Sequence, residues 1–116
     1  MNDVWGYSLH LNIHGCPNEK STRTAVQSFI DELCRRIDME KHGRLFYDEF
    51  GEGYLHGPSF VQMIKTSSIT GHFDPNKNTL FLDVFSCKTF EPKVVEDFVQ
   101  EYFGAEIRDK TWMERK

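Results

Sequence analysis

A chain of 116 residues is long enough for one domain with its own core, but it leaves little surface for a deep pocket. Hydrophobic residues make up 39% of the chain and charged residues 28%, and the ten Phe residues argue against disorder. The net charge of −4, without a basic run, disfavours nucleic-acid binding, and no apolar stretch approaches the roughly 20 residues of a membrane span.

The first half of the chain predicts a strand, a helix and a weaker second strand. Residues 5–14 alternate between apolar and polar side chains, as expected for a strand with one buried face. Apolar residues recur at helical spacing over residues 26–37, and Ser21 or Thr22 is placed to cap this helix. A short strand over residues 44–47 is followed by a loop rich in glycine.

The second half predicts further strands and a second helix. The strands are expected over residues 59–66, 69–73, 80–85 and 107–112. The helix begins near Pro92 and stops at Gly104, because proline favours a first helical turn and glycine a C-terminal cap.

This order, β-α-β-β-β-β-α-β, predicts an α+β fold built as a two-layer sandwich. Both helices should lie on one face of a mostly antiparallel sheet, within a single domain spanning residues 1–116. The other face of the sheet needs cover, and a second copy of the chain is the simplest cover, so we expect a homodimer.

The cysteines and the N-terminus bear on the compartment. Cys16, Cys34 and Cys87 cannot all pair within one chain, which favours a reducing, cytoplasmic setting. No basic segment leads into an apolar one at the N-terminus, so we expect no signal peptide.

Three residue types with catalytic potential lie in the second half of the chain. Ser67 is a poor nucleophile unless a base takes its proton, and His72 is a possible base or acid near neutral pH. Cys87, at the end of a predicted strand, carries a thiol that can donate a proton. Serines in strands are usually solvated and buried cysteines usually inert, so these residue types alone leave catalysis open.

A metal site is the other candidate that the residue types suggest. His10 and His14 share a predicted strand face, with Cys16 or Cys87 as further possible ligands. Their spacing matches no zinc signature, and we predict no metal.

The segment over residues 59–105 resembles the prokaryotic S-adenosylmethionine decarboxylase family, which is pyruvoyl-dependent. The resemblance depends on three stretches, Leu82-Asp-Val-Phe-Ser-Cys87, Phe90-Glu-Pro-Lys93 and Tyr102-Phe-Gly-Ala105, with a shorter similarity at His14-Gly-Cys16. It implies a proenzyme that cleaves itself and then decarboxylates S-adenosylmethionine through a Schiff base on its own pyruvoyl group. The product would be the aminopropyl donor for spermidine, placing the chain in polyamine biosynthesis.

The resemblance also assigns roles. A Glu-Ser-His-Ile motif of the family corresponds to Thr66-Ser67-Ser68-Ile69, which makes Ser67 the implied precursor of the pyruvoyl group. His72 and Ser59 correspond to the processing histidine and serine, and Cys87 to the proton donor. Cleavage between Thr66 and Ser67 would yield residues 1–66 and 67–116.

Several positions depart from the family pattern. Thr66 replaces a glutamate and Ser68 a histidine, while Asp74 and Asn76 replace an aromatic residue and a glutamate that contact the nucleoside. Asp74 suits the ammonium or guanidinium of a basic amino acid, so L-ornithine or L-arginine is the alternative substrate, although aspartate also commonly starts a turn.

Two further alternatives follow from these departures. Phe73 or Tyr54 could supply the missing stacking surface for the nucleoside. A non-catalytic homologue that stays unprocessed, and acts as a binding or regulatory dimer, is a hypothesis from a different functional class.

Overall fold

The computed structural model describes residues 3–116 and contains six strands and two α-helices in the predicted order. Two short 3₁₀ helices accompany them. The bounds are β1 (Gly6–His14), α1 (Arg23–Arg36), β2 (Phe46–Phe50), β3 (Gly57–Ile64), β4 (Ser67–Asp74), β5 (Thr79–Ser86), α2 (Pro92–Phe103) and β6 (Glu106–Arg115). The predicted α+β class is confirmed.

The strands form one sheet in the order β2-β3-β4-β5-β1-β6, and every neighbouring pair is antiparallel. Strand β1 therefore lies between β5 and β6, although it comes first in the chain. The central position of β4 matters most for the site, because β3 and β5 pair with it on both sides.

The helices cover one face of the sheet. Alternate residues of β1 and β5 point into the core, and the apolar stripes of α1 and α2 pack over them. The ring of Phe29 on α1 stacks on Phe98 of α2 at 5.6 Å, and Phe103 of α2 lies 6.0 Å from Phe73 of β4. Aromatic pairs thus join both helices to the strand that begins at Ser67.

The helix ends agree with the sequence. Thr22, rather than Ser21, caps α1 by accepting a hydrogen bond from the backbone N–H of Ala25 at 3.2 Å. Pro92 opens α2, and Gly104 ends it with φ of 59°, a left-handed conformation that glycine adopts without penalty.

The predicted bounds of three strands were wrong, and those of β3 and β4 affect the site. The strand predicted over residues 59–66 is β3, which ends at Ile64, and the next strand already begins at Ser67. A two-residue turn, Lys65–Thr66, therefore separates β3 from β4 where the sequence suggested continuous strand. The weak strand predicted over residues 44–47 lies instead at Phe46–Phe50.

The face of the sheet opposite the helices is uncovered in the single chain. We call it the open face. Its exposed apolar side chains are Phe46, Phe50, Val61, Met63, Phe81 and Met113. Within residues 3–116, no helix is long and apolar enough to cross a membrane.

Candidate active site

The tight turn between β3 and β4 places Thr66 and Ser67 at the end of a hairpin. Ile64 pairs with Ser67, and only Lys65 and Thr66 lie between them. Two-residue hairpins favour turns whose central residues have positive φ, because that twist matches the strands. Among residues 3–116, the non-glycine residues with positive φ are Asp38, Asn78 and Ser67, whose φ is 157°. The central residues Lys65 and Thr66 do not have positive φ; the unfavourable conformation falls on Ser67, the residue after the turn, at a cost of about 1–3 kcal/mol.

The carbonyl group of Thr66 is held by a neighbouring strand. Ser67 pairs with Ser86 across β4 and β5, so Cys87 follows directly beside the turn. The backbone N–H of Cys87 donates to the carbonyl oxygen of Thr66 at 2.9 Å. A donor in this position stabilises negative charge on that oxygen if the carbonyl carbon is attacked. The fold therefore brings Thr66, Ser67 and Cys87 next to one another.

Ser59 and His72 form a second polar pair. They lie directly opposite each other on β3 and β4, and Ser59 Oγ is hydrogen bonded to His72 Nδ1. A hydroxyl in contact with an imidazole can pass a proton to a third group. Both side chains are on the open face, in the same row as Phe81.

These two groups are well separated within one chain. Ser67 and His72 are five residues apart on β4, which corresponds to about 16 Å along a strand. An odd separation also directs the two side chains to opposite faces of the sheet. One chain alone therefore does not bring the Ser59–His72 pair to the Thr66–Ser67 bond.

A cavity of about 260 Å³ adjoins His72. It is lined by three of the predicted binding residues, Tyr54, Asp74 and Asn76. Asp74 Oδ1 accepts a hydrogen bond from the N–H of Asn76 at 3.0 Å, the turn contact that the sequence also suggested. The second carboxylate oxygen of Asp74 remains available to the cavity.

Phe73, the fourth predicted binding residue, is a correction. Its side chain is only 3% exposed and packs against Phe60 and Phe103 under the helices. The prediction was wrong because Phe73 follows His72 on a strand, and neighbouring residues of a strand face opposite sides. It cannot stack on a ligand that reaches His72.

The sequence interpretation missed Phe50. Its ring lies 6.4 Å from that of His72, and its side chain is 56% exposed. Phe50 also borders an apolar cavity of about 420 Å³ that includes Ser59. Phe46, Asp48 and Phe50 are two residues apart and share one face, so a strand predicted as far as residue 50 would have placed Phe50 on the face of Ser59.

A model of the S-adenosylmethionine decarboxylase family matches residues 7–116, nearly the whole chain. The chain belongs to this family. S-adenosylmethionine decarboxylase proenzymes from two type A strains of Clostridium botulinum are each 26% identical over 98 residues, covering 83% of this chain and 81% of theirs. The crystal structure of the adenosylmethionine decarboxylase from Aquifex aeolicus VF5 superposes with a TM-score of 0.78 at 20% identity, covering 98% of this chain and 92% of that one.

The family resemblance predicted from the sequence is thus confirmed, and the shared fold extends over both helices and the sheet. The match to the Aquifex structure shows that the N-terminal half, where the motifs were weakest, has the same fold.

The three cysteines of this family member differ in burial. Burial raises the pKa of Cys16 to about 12 and that of Cys34 to about 11, so both stay protonated at neutral pH. Cys87 is exposed beside the turn. A cysteine binds a metal as its thiolate, and burial disfavours that form of Cys16.

The histidines of the metal alternative have other partners. His10 Nδ1 lies 2.7 Å from Asp83 Oδ1, and His14 Nδ1 lies 3.5 Å from the hydroxyl of Thr79. Within residues 3–116, no group of three His, Cys, Asp or Glu side chains is arranged to hold an ion.

Proposed function

We propose that this chain is a self-processing, pyruvoyl-dependent decarboxylase that acts on S-adenosylmethionine and so supplies the aminopropyl donor for spermidine. The observation that carries the proposal is the geometry of one peptide bond. Ser67 has an unfavourable φ, and the carbonyl oxygen of Thr66 already accepts the N–H of Cys87 at 2.9 Å. The same serine is the one that the family motif assigns to the prosthetic group.

Self-cleavage would begin with attack by Ser67 Oγ on the carbonyl carbon of Thr66. Negative charge develops on the carbonyl oxygen that faces the N–H of Cys87. The C–N bond then breaks, the nitrogen of Ser67 takes up a proton, and the Thr66 acyl group is left as an ester on Ser67 Oγ. The unfavourable φ of Ser67 raises the energy of the uncleaved state, which lowers the barrier to this step.

Elimination would complete the cleavage. Loss of the Cα proton of Ser67 expels the Thr66 carboxylate from Cβ and leaves a dehydroalanine, which tautomerises to an imine. Water hydrolyses the imine to a ketone and releases ammonia, so no oxidant is needed. The products are residues 1–66 and 67–116, which remain joined because β4 still pairs with β3 and β5.

Residue 67 is a suitable place for a pyruvoyl group. Cleavage would leave it as the first residue of β4, fixed by pairing with Ser86 and next to an exposed thiol. When formed, the ketone supplies a covalent link to the substrate amine and an acceptor for the electrons left as CO₂ departs. Cys87 would donate the proton that the substrate carbon then requires.

A homodimer would complete this site. The Ser59–His72 pair lies about 16 Å along β4 from Ser67, too far to act on the turn of its own chain. The open face carries six exposed apolar side chains, and a second copy would bury them. A second copy, packed with its β4 in the opposite direction, could then bring its own Ser59–His72 pair to the Thr66–Ser67 peptide bond of the first, because the backbone of that bond lies in the plane of the sheet and not on one face.

A basic amino acid is the second candidate substrate. Asp74 and Asn76 line the cavity beside His72, where the family has an aromatic residue and a glutamate. A carboxylate binds the terminal ammonium of L-ornithine or the guanidinium of L-arginine and cannot stack on adenine. Tyr54 and Phe81, which line this cavity, and Phe50 beside His72 are exposed rings that could receive a nucleoside in this region.

Denaturing mass spectrometry of the purified full chain tests the proposed processing. We expect two fragments that separate before Ser67, whereas Ser67→Ala remains one chain. Ser68→Ala is the matched control, because it removes the adjacent hydroxyl and should still cleave before residue 67. A wild-type chain that stays intact on long incubation contradicts the proposal and supports the non-catalytic dimer.

Release of CO₂ from S-adenosylmethionine, L-ornithine and L-arginine, measured side by side on the cleaved protein, tests the substrate. Turnover of S-adenosylmethionine alone supports the first candidate. Turnover of a basic amino acid that falls in Asp74→Asn supports the second.

A further inference from the structure

The side chain of Thr66, and not only its carbonyl group, is held at the proposed cleavage turn. Ser86 Oγ donates to Thr66 Oγ1 at 2.7 Å, and Thr66 Oγ1 in turn lies 3.3 Å from the sulfur of Met39. Ser86 also accepts a hydrogen bond from the backbone N–H of Lys88 at 3.0 Å. Ser86 is fully buried, whereas Thr66 is half-buried and borders a surface cavity together with Met39.

The arrangement assigns a direction to each hydroxyl. A serine or threonine hydroxyl has one proton to donate. That of Ser86 has two acceptors, Thr66 Oγ1 at 2.7 Å and the sulfur of Met39 at 3.7 Å, and that of Thr66 is directed to the same sulfur. Each donated proton stays within this cluster, so the contribution to the reaction that follows from the geometry is one of position.

The same contacts hold two groups of Thr66, its carbonyl and its hydroxyl, against the end of β5. Its carbonyl oxygen is held by Cys87 N–H and its hydroxyl by Ser86 Oγ, and these donors belong to consecutive residues. A residue held at both its carbonyl and its side chain cannot rotate the peptide plane that follows it. The bond to Ser67 thereby keeps one orientation towards the attacking hydroxyl.

The segment that contains Met39 is attached both to α1 and to the hairpin. Its N–H donates to Cys34 O at 2.8 Å, and the next residue, Glu40, accepts the N–H of Lys65 at 2.9 Å. The segment after α1 is thus fastened to the first residue of the turn. Thr66 lies between this segment and β5, which explains how a two-residue turn without glycine stays in place.

We infer that Ser86, through its hydrogen bond to the Thr66 hydroxyl, is a positioning residue for self-cleavage. The inference rests on the proposed self-processing at Ser67. It also gives the Thr66 hydroxyl a role where the family usually has a glutamate.

A time course of cleavage after a pulse of in vitro translation, followed on denaturing gels, tests the inference. We expect Ser86→Ala and Thr66→Val each to cleave about tenfold more slowly than wild type, the effect of losing one buried hydrogen bond. Thr66→Ser keeps the hydroxyl and should cleave at nearly the wild-type rate. The double variant Ser86→Ala/Thr66→Val should be no slower than the slower single variant, because both remove the same interaction.

The matched control is Ser21→Ala. Ser21 is also a buried serine, but its hydroxyl donates to Asn18 O at 2.8 Å, in a segment that does not belong to the turn. It should cleave as wild type does. If the two single effects multiply in the double variant, or if Thr66→Ser is as slow as Thr66→Val, Ser86 has only a structural role and the inference fails while the proposed function stands. A wild-type chain that never cleaves overturns both.

Discussion

The two ends of the β3–β4 hairpin are built for different tasks. At the turn end, Thr66 and Ser67 are fastened to the end of β5, and the backbone of Ser67 takes an unfavourable conformation. At the far end, Ser59 and His72 are paired on regular strand and border cavities large enough for part of a ligand. The turn end offers a bond to break, and the far end offers a proton carrier and space.

If both ends take part in one reaction, a single chain contains two half-sites, the turn end and the far end, and not one complete site. Regular strand geometry separates the half-sites by about 16 Å, and no side-chain rotation closes such a distance. The open face, with its exposed apolar side chains, is where a second copy would restore the missing half.

Complementation between two inactive chains should have the largest effect. We expect His72→Ala and Ser67→Ala each to remain uncleaved when produced alone. When the two are produced together, the His72→Ala chain should be cleaved, because it keeps Ser67 and receives His72 from its partner. Tags of different mass identify the cleaved chain on a denaturing gel.

The control for complementation replaces the partner with the double variant Ser67→Ala/His72→Ala, which cannot supply the imidazole. Cleavage should then be absent. If His72→Ala is cut normally by itself, His72 has no part in processing. If it is never rescued by the partner, the two half-sites do not act across a dimer.

Replacement of the exposed thiol should separate cleavage from turnover. In Cys87→Ala the backbone N–H that contacts Thr66 O is retained, so the chain should still be cleaved. Decarboxylation should fall by about 10²-fold or more, the usual contribution of a positioned proton donor. CO₂ release per cleaved chain measures the effect, and a chain that fails to cleave would place the thiol itself in the processing step.

Substitution at Ser67 should reveal the backbone strain at the turn end. Neither Ser67→Ala nor Ser67→Gly can cleave, so their free energies of unfolding are directly comparable. Glycine adopts φ of 157° more readily than alanine, and Ser67→Gly should be the more stable by about 1 kcal/mol in chemical denaturation.

The matched comparison is the same pair of substitutions at Ser68, in the Ser67→Ala chain. Ser68 is an ordinary strand residue paired with Phe85. Glycine should there be less stable than alanine by roughly 0.5–1 kcal/mol. The same sign at both positions would mean that the turn stores no strain at Ser67.

The buried thiols come last, because their effect on stability is absent near neutral pH and develops only at alkaline pH. Burial raises the pKa of Cys16 from 9.0 to about 12 and that of Cys34 from 9.0 to about 11. Between pH 9 and about 11 the unfolded chain loses protons that the folded chain keeps, so the free energy of unfolding should decrease as pH rises. Denaturant titrations at several pH values measure the slope.

Alkylation provides a simpler check of the same difference. At pH 8 the folded chain should take up one equivalent of a thiol reagent, on Cys87, and the denatured chain three. Uptake of more than one equivalent by the folded chain would contradict the burial of Cys16 and Cys34.

Much of the fold could be predicted from the chain because its local signals agree with one another. The helix stripes, the Thr22 cap, Pro92 and Gly104 each mark an element by the conformations they favour, and the structure has those elements. The turn at Lys65–Thr66 was missed, because neither residue is the glycine or asparagine that usually marks a two-residue hairpin.

The site residues also divide into those that a local motif indicates and those that only the strand pairing reveals. Motif and spacing were sufficient to select Thr66, Ser67 and Cys87, which the hairpin and β5 bring together. Phe73 was a wrong choice, since its ring faces the core, and Phe50 and Ser86 were missed. Ser86 could have been found, because Leu80, Leu82, Val84 and Ser86 are two residues apart and share the inward face of β5. A buried hydroxyl on that face needs a hydrogen-bond partner.

The sequence by itself determined the order of elements, the family and the residue types available for chemistry, because these depend on composition, periodicity and local motif. Only the tertiary structure decided which of those residues meet. Pairing across β3, β4 and β5 sets the distances between residues far apart in the chain, and strand rise keeps His72 away from Ser67 although only five positions separate them.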